Sequence, residues 1–76
     1  MEKAVLDLRG EGCPGPVIKT LKKLAELPDG AELLVLMTSY ECAVILISNL
    51  AAAKLGKARV EREGELIKMY ITKSKA

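Results

Sequence analysis

Residues 12–16 of the sequence read Gly12-Cys13-Pro14-Gly15-Pro16. This segment lies where an alternating apolar stretch ends and an amphipathic helical pattern begins, so it predicts a strand-to-helix turn. Prolines are well tolerated in a first helical turn, because the N–H groups there have no intrahelical acceptor and the fixed φ of proline suits the helix. The segment therefore predicts a thiol displayed at the N-terminus of a helix.

Cys13 is accordingly the candidate nucleophile. Unpaired N–H donors and the positive end of a helix dipole favour thiolate over thiol, and cysteines at helix starts have pKa values lowered to roughly 3.5–7.5. The competing interpretation is that Cys13 only fills a small capping position, although Ser, Thr, Asp and Asn cap helices better. The chain contains no histidine, which excludes a protease-type Cys–His couple and mixed Cys/His zinc sites. We predict no metal ligands and a thiol that works without a histidine base.

The composition narrows the class of protein. A length of 76 residues predicts one small domain spanning residues 1–76. Half of the residues are apolar but only Tyr40 and Tyr70 are aromatic, so the core is aliphatic and offers no stacking platform for single-stranded nucleic acid. A formal net charge of +2 gives no argument for a polyanionic partner. We expect no nucleic-acid ligand.

The sequence lacks two features that would indicate a secreted or membrane protein. Two cysteines do not make the disulfide framework of a small secreted domain, which favours the cytoplasm. No apolar run approaches the roughly 20 residues needed to span a bilayer, and the first residues carry no apolar signal core. The sequence therefore predicts a cytoplasmic protein without membrane segments.

Hydrophobic periodicity predicts six elements in the order βαβαββ. They are a strand ending at residue 10, a helix over 14–27, an interior strand over 33–37, a helix over 42–55 closed by Gly56, and strands over 57–62 and 65–72 joined at Glu63-Gly64. Residues 73–76 are predicted to form a frayed tail. Right-handed crossovers between parallel strands place both helices on one face of the sheet. The predicted fold is α+β, a two-layer α/β sandwich with a mixed four-stranded sheet.

This topology places both helix N-termini along one edge of the sheet, so Cys13 and segment 38–42 are expected to lie near each other. Whether the two sulfurs meet depends on ångström-scale geometry that the pattern leaves open. A cysteine at the start of so apolar a helix is usually a small core residue, and cytosolic disulfides are uncommon. We therefore expect Cys42 to be structural.

Several segments together resemble the TusA/SirA-like sulfur carrier family, with its Cys-Pro-X-Pro signature. They are Leu6-Asp7-Leu8-Arg9-Gly10, Cys13-Pro14-Gly15-Pro16, Gly30, the apolar strand from Leu33, and Gly56 before the final hairpin. The resemblance runs nearly end to end and implies the same βαβαββ fold. Family members that serve transfer-RNA thiolation often carry an acidic pair and a proline after strand two. This chain has Thr38-Ser39-Tyr40 there, which leaves its acceptor open.

The resemblance implies a sulfur relay. Cys13 would accept sulfane sulfur as a persulfide from a cysteine desulfurase or rhodanese-like donor and pass it to a downstream acceptor protein, without a cofactor. Pro14 and Pro16 would hold the sulfur on a rigid turn. Gly12 and Gly15 would keep its surroundings small enough for a partner's active site to enclose it.

Other residues are candidates for partner binding. A basic cluster, defined as Arg9, Lys19, Lys22 and Lys23, would steer an acidic partner or an RNA backbone toward Cys13, although a solvated helix face is the more common meaning of such a pattern. Tyr40 is either an amphipathic contact residue or a half-buried helix-start aromatic. The second helix is apolar over much of its circumference, which suggests a contact surface for self-association or for a partner, although its alanines are also ordinary helix formers.

Two other function classes remain open at this stage. One is a regulatory, protein-binding or nucleic-acid-binding module without chemistry, in which the Cys-Pro-Gly-Pro turn is only a cap. The other is a thiol redox sensor that uses Cys13 and Cys42.

Overall fold

The computed structural model describes residues 3–74, which form a four-stranded sheet with two helices packed on one face. The elements are β1 Lys3–Leu8, α1 Gly15–Glu26, β2 Glu32–Met37, α2 Tyr40–Ala52, β3 Gly56–Glu63 and β4 Leu66–Lys73. The βαβαββ order and the mixed sheet confirm the predicted α+β fold. Lys75 and Ala76, the end of the predicted frayed tail, lie outside the described residues.

The strands lie in the order β1-β2-β4-β3, so β2 is interior as predicted. β2 pairs in parallel with β1 and antiparallel with β4, and β4 pairs antiparallel with β3. Leu33, Val35 and Met37 of β2 are buried beneath the helices, whereas Leu34 and Leu36 are only partly buried on the opposite face. β2 is therefore covered along both edges but by helices on one face only.

The helix α1 is amphipathic and buries Pro16, Val17, Thr20 and Leu24 against the sheet and α2. It begins at Gly15, with Pro14 as its N-cap, one residue later than the sequence predicts. Cys13 therefore precedes the helix. The chain leaves α1 at Leu27, whose extended conformation precedes Pro28, because a residue before proline disfavours the helical region.

The helix α2 begins and ends earlier than predicted. Its C-terminus is closed by two hydrogen bonds, from the N–H of Lys54 to the carbonyl of Ala51 (3.3 Å) and from the N–H of Leu55 to the carbonyl of Leu50 (3.0 Å). This pattern is a Schellman motif, and Lys54 takes its left-handed position at φ 54°. The prediction that Gly56 closes the helix is wrong.

Gly56 is instead the first residue of β3, where a side chain would collide with β4. A Cβ atom at this position would lie 2.5 Å from the backbone carbonyl oxygen of Thr72 on β4. The following hairpin turns at Gly64-Glu65, one residue beyond the predicted position, with Gly64 at φ 60° as a type II′ turn requires. β4 then continues to Lys73, and the N–H of Ser74 donates to the carbonyl of Leu55, so residues 73–74 are not frayed.

Candidate functional site

The candidate site lies at the sheet edge where β1 and β2 end and both helices begin. The N–H of Gly10, in the loop after β1, donates to Oγ1 of Thr38, in the loop after β2, at 3.0 Å. This bond joins the two loops directly. The parallel pairing of β1 with β2 thus brings the loop that contains Cys13 beside the start of α2.

Cys13 is half-buried rather than fully displayed. Its side chain packs against the hydrophobic core, whereas its neighbours Gly12 and Pro14 are exposed. The Cys13-Pro14 peptide bond is cis. The expectation of a displayed, unpacked thiol is therefore wrong in part: one side of Cys13 faces the protein, and the exposed neighbours leave an approach from solvent.

The remaining motif residues have separate structural roles. Pro16 is buried in the first turn of α1, where it helps to anchor the helix on the core. Gly15 is the first helical residue, and a Cβ atom there would lie in ordinary contact with Glu11, 3.5 Å from its Oε1. A Cβ atom at Gly12 would lie in open space. The fold therefore does not need glycine at position 12.

The start of α1 has no unpaired N–H groups, contrary to the prediction. Pro14 and Pro16 have no N–H to offer. The other N–H groups of this turn bond to backbone carbonyls: Gly15 to Gly12, and Val17 and Ile18 to Pro14, at 3.1–3.2 Å. The same prolines that shape the turn thus remove the donors that were expected to favour a thiolate.

The sulfur of Cys42 is bonded to the sulfur of Cys13 in a disulfide. The two Cα atoms are 5.5 Å apart, within the usual range for such a bond. Cys42 has no exposed surface, which confirms its expected burial, and its structural role stays a prediction. Cys42 lies in the first turn of α2, and its N–H donates to the N-cap hydroxyl of Ser39 at 3.2 Å. The N-terminus of α2 therefore lies at the paired sulfurs.

The basic cluster is not a set of free cations. The guanidinium of Arg9 donates to both carboxylate oxygens of Asp7, at 2.9 and 2.7 Å. This hydrogen bonding holds the pKa of Asp7 below its usual value and raises that of Arg9. Lys19 pairs with Glu11 at 2.6 Å. Two of the four cations are thus neutralised by carboxylates beside the Cys13 loop.

The other two members lie farther along α1. Lys22 is exposed and Lys23 is half-buried, and both follow the start of the helix by about two turns, or about 10–12 Å at the helical rise. They do not border Cys13 directly. The arrangement fits a solvated helix face better than a ring of charge around the thiol.

Tyr40 is exposed, with 64% of its surface accessible, so the interpretation as a half-buried aromatic is wrong. The guanidinium of Arg62 lies over its ring, 5.7 Å from the centroid. Arg62 is near the end of β3, which runs parallel to β2 because both are antiparallel to β4. The Tyr40–Arg62 pair therefore stands at the same sheet edge as the two cysteines.

The apolar character of α2 is divided between core and surface. Ala43, Leu46 and Leu50 are buried in the core, which accounts for part of the pattern that suggested self-association. The exposed apolar side chains of α2 include Val44 at 46%, and Ile45 and Ile47 at 39% each. Self-association through these residues stays a prediction.

Other parts of the described chain lie away from this edge. A cavity of about 500 Å³ lies at the opposite end of the sheet, lined by residues that include Lys3, Glu32 and Arg59. Among residues 3–74, no cluster of three or more His, Cys, Asp or Glu side chains is arranged to hold a metal ion. Within the same range, no helix has the length and apolar character to cross a membrane.

Two features of this edge were not predicted from the sequence. The parallel strand order already placed Cys13 and Cys42 at one edge, but predicting the bond between them required the geometry of the loop. Arg62 was not singled out, because a charged residue in an alternating hairpin has the pattern of an ordinary exposed strand position. Its signal was topological: the end of a strand parallel to β2 must lie at the edge where β2 ends.

Known proteins match this chain in sequence pattern and in fold. The family model described as sulfurtransferase TusA matches residues 4–73. The fold is similar to the crystal structure of a SirA-like protein from Desulfitobacterium hafniense, with a TM-score of 0.78 and 27% sequence identity, covering 95% of this chain and 99% of that one. Among curated proteins, the sequence has no significant match.

Proposed function

Because this chain belongs to the sulfurtransferase TusA family, we propose that it accepts sulfane sulfur as a persulfide on Cys13 and relays it to an acceptor protein. The donor would be a cysteine desulfurase or a rhodanese-like protein, and the relay would run in the cytoplasm with residues 1–76 acting as one domain. The chain needs no cofactor for this chemistry, since the attacking group and the carried sulfur both belong to cysteine.

The position of Cys13 between exposed neighbours carries this proposal. Gly12 and Pro14 are exposed on either side of it, and a Cβ atom at Gly12 would meet nothing within 4 Å. A partner's active site can therefore approach the sulfur without a steric barrier at position 12. The buried Pro16 fixes the other end of the motif, so the loop presents its sulfur at a defined place.

The electrostatic support for negative charge on the Cys13 sulfur comes from the dipole of α2 rather than from that of α1. The first turn of α2 contains Cys42, whose sulfur is bonded to that of Cys13, so the positive end of the α2 dipole lies near both sulfurs. A helix N-terminus stabilises negative charge. We expect α2 to favour the thiolate form of reduced Cys13 and the persulfide anion that follows.

For partner recognition we propose the Tyr40–Arg62 pair as the main contact at this edge. An exposed tyrosine beneath a guanidinium offers an apolar ring and a positive charge together, a combination common at interface centres. Lys22 and Lys23 would add positive charge along α1. Arg9 and Lys19 would contribute less, because Asp7 and Glu11 already pair with them.

The test is single-turnover loading under anaerobic conditions. Reduced Cys42→Ala protein, incubated with an immobilised cysteine desulfurase and cysteine, should gain the mass of one sulfur. Cys13→Ser should gain none and should keep the fold, since serine is close in size to cysteine and position 13 is only half-buried. Equal loading of the Cys13→Ser protein, or no loading of Cys42→Ala, would contradict the carrier assignment.

A thiol redox protein is the second candidate, and the Cys13–Cys42 disulfide favours it. Both candidates allow the Cys13–Cys42 bond to form, so the distinguishing protein is Cys42→Ala, which should gain no sulfur from the desulfurase if the chain is only a redox protein. Intact-mass measurement of that variant separates this outcome from sulfur loading.

A further inference from the structure

Cys42 has a feature that a simple carrier does not require. A carrier needs one thiol to hold sulfur, because the acceptor protein supplies the next nucleophile. Cys42 nevertheless adds a second thiol to the site: its side chain is fully buried, and its sulfur contacts that of Cys13. A buried sulfur cannot meet the active site of another protein in this conformation. Its reaction partner is therefore Cys13.

The two sulfurs meet within intact secondary structure. Cys42 lies in the regular first turn of α2, with its N–H bonded to Oγ of Ser39. The Cys13 loop is tied to the same edge by the bond from Gly10 to Thr38. In the bonded state, α2 keeps its first turn and the two loops keep their connecting hydrogen bond. Such fixed proximity gives an intramolecular reaction a high effective concentration.

We infer that Cys42 is a resolving thiol that discharges the Cys13 persulfide as free sulfide. The inference rests on the proposed function, because it begins from sulfur loaded on Cys13. The Cys42 thiolate attacks the inner sulfur of the persulfide, the Sγ of Cys13. The Sγ–Sγ bond forms, the bond to the outer sulfur breaks, and hydrosulfide leaves.

The reaction balances without an outside oxidant. One Cys42 thiol and one Cys13 persulfide give one disulfide and one hydrogen sulfide. The sulfane sulfur is reduced by two electrons, which the two cysteine sulfurs supply, and the proton of the Cys42 thiol leaves with the sulfide. Repeated turnover requires a reductant of the dithiol class, either a small dithiol or a dithiol protein, to restore Cys13 and Cys42.

Attack on the inner sulfur is favoured on two grounds. Its product is the Cys13–Cys42 bond that the structure contains. Hydrosulfide is also less basic than a cysteine thiolate, and less basic thiolates leave faster in exchange reactions. The consequence is a limited lifetime for the loaded carrier: an acceptor must take the outer sulfur before Cys42 releases it.

The experiment compares wild-type protein with Cys42→Ala after identical loading. Both are reduced, freed of reductant, loaded anaerobically with the immobilised desulfurase and cysteine, separated from the resin, and sampled over time. Wild type should release about one sulfide per loaded chain by methylene-blue assay and end with the mass of the disulfide form. Cys42→Ala should keep its added sulfur and release at least tenfold less sulfide over the same period.

Cys42→Ser provides a second variant that retains a side chain close in size to cysteine. It should behave as Cys42→Ala does, because a hydroxyl does not replace a thiolate as nucleophile. Addition of dithiothreitol to discharged wild type should restore loading.

The outcomes separate this inference from the proposed function. If Cys42→Ala loads but wild type also keeps its persulfide, the resolving role is overturned while the carrier role stands. If sulfide release is equal in wild type and both variants, the resolving role is likewise overturned. If no protein loads, the carrier function itself fails.

Discussion

Cys13 and Cys42 are separated by 29 positions in sequence, yet their Cα atoms lie 5.5 Å apart and their sulfurs are bonded. One belongs to the loop before α1 and the other to the first turn of α2, so their bond joins the two crossover connections of the sheet. Cys13 is accessible from one side, whereas Cys42 is enclosed. This asymmetry underlies the proposed chemistry, in which Cys13 exchanges sulfur with other molecules and Cys42 reacts within the chain.

The disulfide should stabilise the folded protein. For a loop of this length, the chain-entropy model gives about 3–4 kcal/mol of additional free energy of unfolding in the oxidised protein. Urea denaturation with and without a reductant measures the difference. The Cys42→Ser protein should show the same midpoint in both conditions. An oxidised protein no more stable than the reduced one would contradict the prediction.

The reduced cysteines should differ in their rate of alkylation. Cys13 should react first with iodoacetamide, because Cys42 has no exposed surface and requires opening of the first turn of α2. Tryptic cleavage after Arg9 and Lys19 isolates the Cys13 peptide, so mass spectrometry can follow both sites separately. In strong urea the two rates should converge. Faster labelling of Cys42 in the native protein would exclude Cys13 as the accessible thiol.

Much of the fold could be predicted from the sequence, because local patterns and chain connectivity determine it. Alternation of apolar residues predicted β1, and the continuous run up to Met37 predicted an interior strand. Pro28 predicted the turn between α1 and β2, and Gly64 predicted the turn of the final hairpin. Right-handed crossovers then placed both helices on one face.

The site could be predicted only in outline, because its chemistry depends on atomic contacts. Topology placed Cys13 and Cys42 at one edge, but the bond between them depends on how deeply the Cys42 side chain is buried and on the position of the loop that contains Cys13. The donors expected at the start of α1 are absent because Pro14 and Pro16 have no N–H and the N–H groups of Gly15, Val17 and Ile18 bond to backbone carbonyls. Lys54 in the left-handed position carries no sequence signal, since glycine and asparagine are its usual occupants.

The carboxyl group of Asp7 should titrate below its usual range. The side-chain hydrogen bond from Arg9 is the largest cause of its lowered pKa, followed by the bond from the Arg9 N–H. Because the folded pKa lies below the unfolded value, the contribution to stability is present above the unfolded pKa. It is lost as the pH falls through the folded pKa.

A carbon-detected NMR titration measures this pKa directly. Arg9→Gln should move the pKa of Asp7 upward, while retaining the bond from the backbone N–H at position 9. An unchanged titration in that variant would show that the side-chain pair is not the cause.

A glycine added at the end of α2 and a glycine removed at the start of β3 should change the free energy of unfolding in opposite directions. Lys54→Gly should raise the free energy of unfolding by about 1 kcal/mol, because glycine adopts the left-handed region without the steric cost that lysine carries. Gly56→Ala should lower it by about 1–3 kcal/mol, since the added Cβ atom meets the carbonyl of Thr72.

Gly12→Ala is the matched control for these two variants. The new Cβ atom lies in open space, and the backbone there is outside the left-handed region, so stability should stay within about 0.5 kcal/mol of wild type. Chemical denaturation of the three variants tests the comparison. A stabilising Gly56→Ala substitution would contradict the close approach of β3 and β4.

Thr20 should be a site where removal of a polar group stabilises the protein. Its side chain is fully buried, and its hydroxyl oxygen has no hydrogen-bond partner among residues 3–74. Burying an unsatisfied hydroxyl costs about 1–3 kcal/mol. Thr20→Val keeps the branched shape and a similar helix propensity, so it should raise the free energy of unfolding by about 1 kcal/mol.

Thr20→Ser provides the opposite change, because it keeps the hydroxyl and removes the buried methyl group. It should lower the free energy of unfolding by about 1 kcal/mol through the lost apolar contact. Urea denaturation of both variants, in the presence of a reductant, removes any contribution from the disulfide. If Thr20→Val is the less stable of the two, the hydroxyl has an acceptor in solution and the prediction fails.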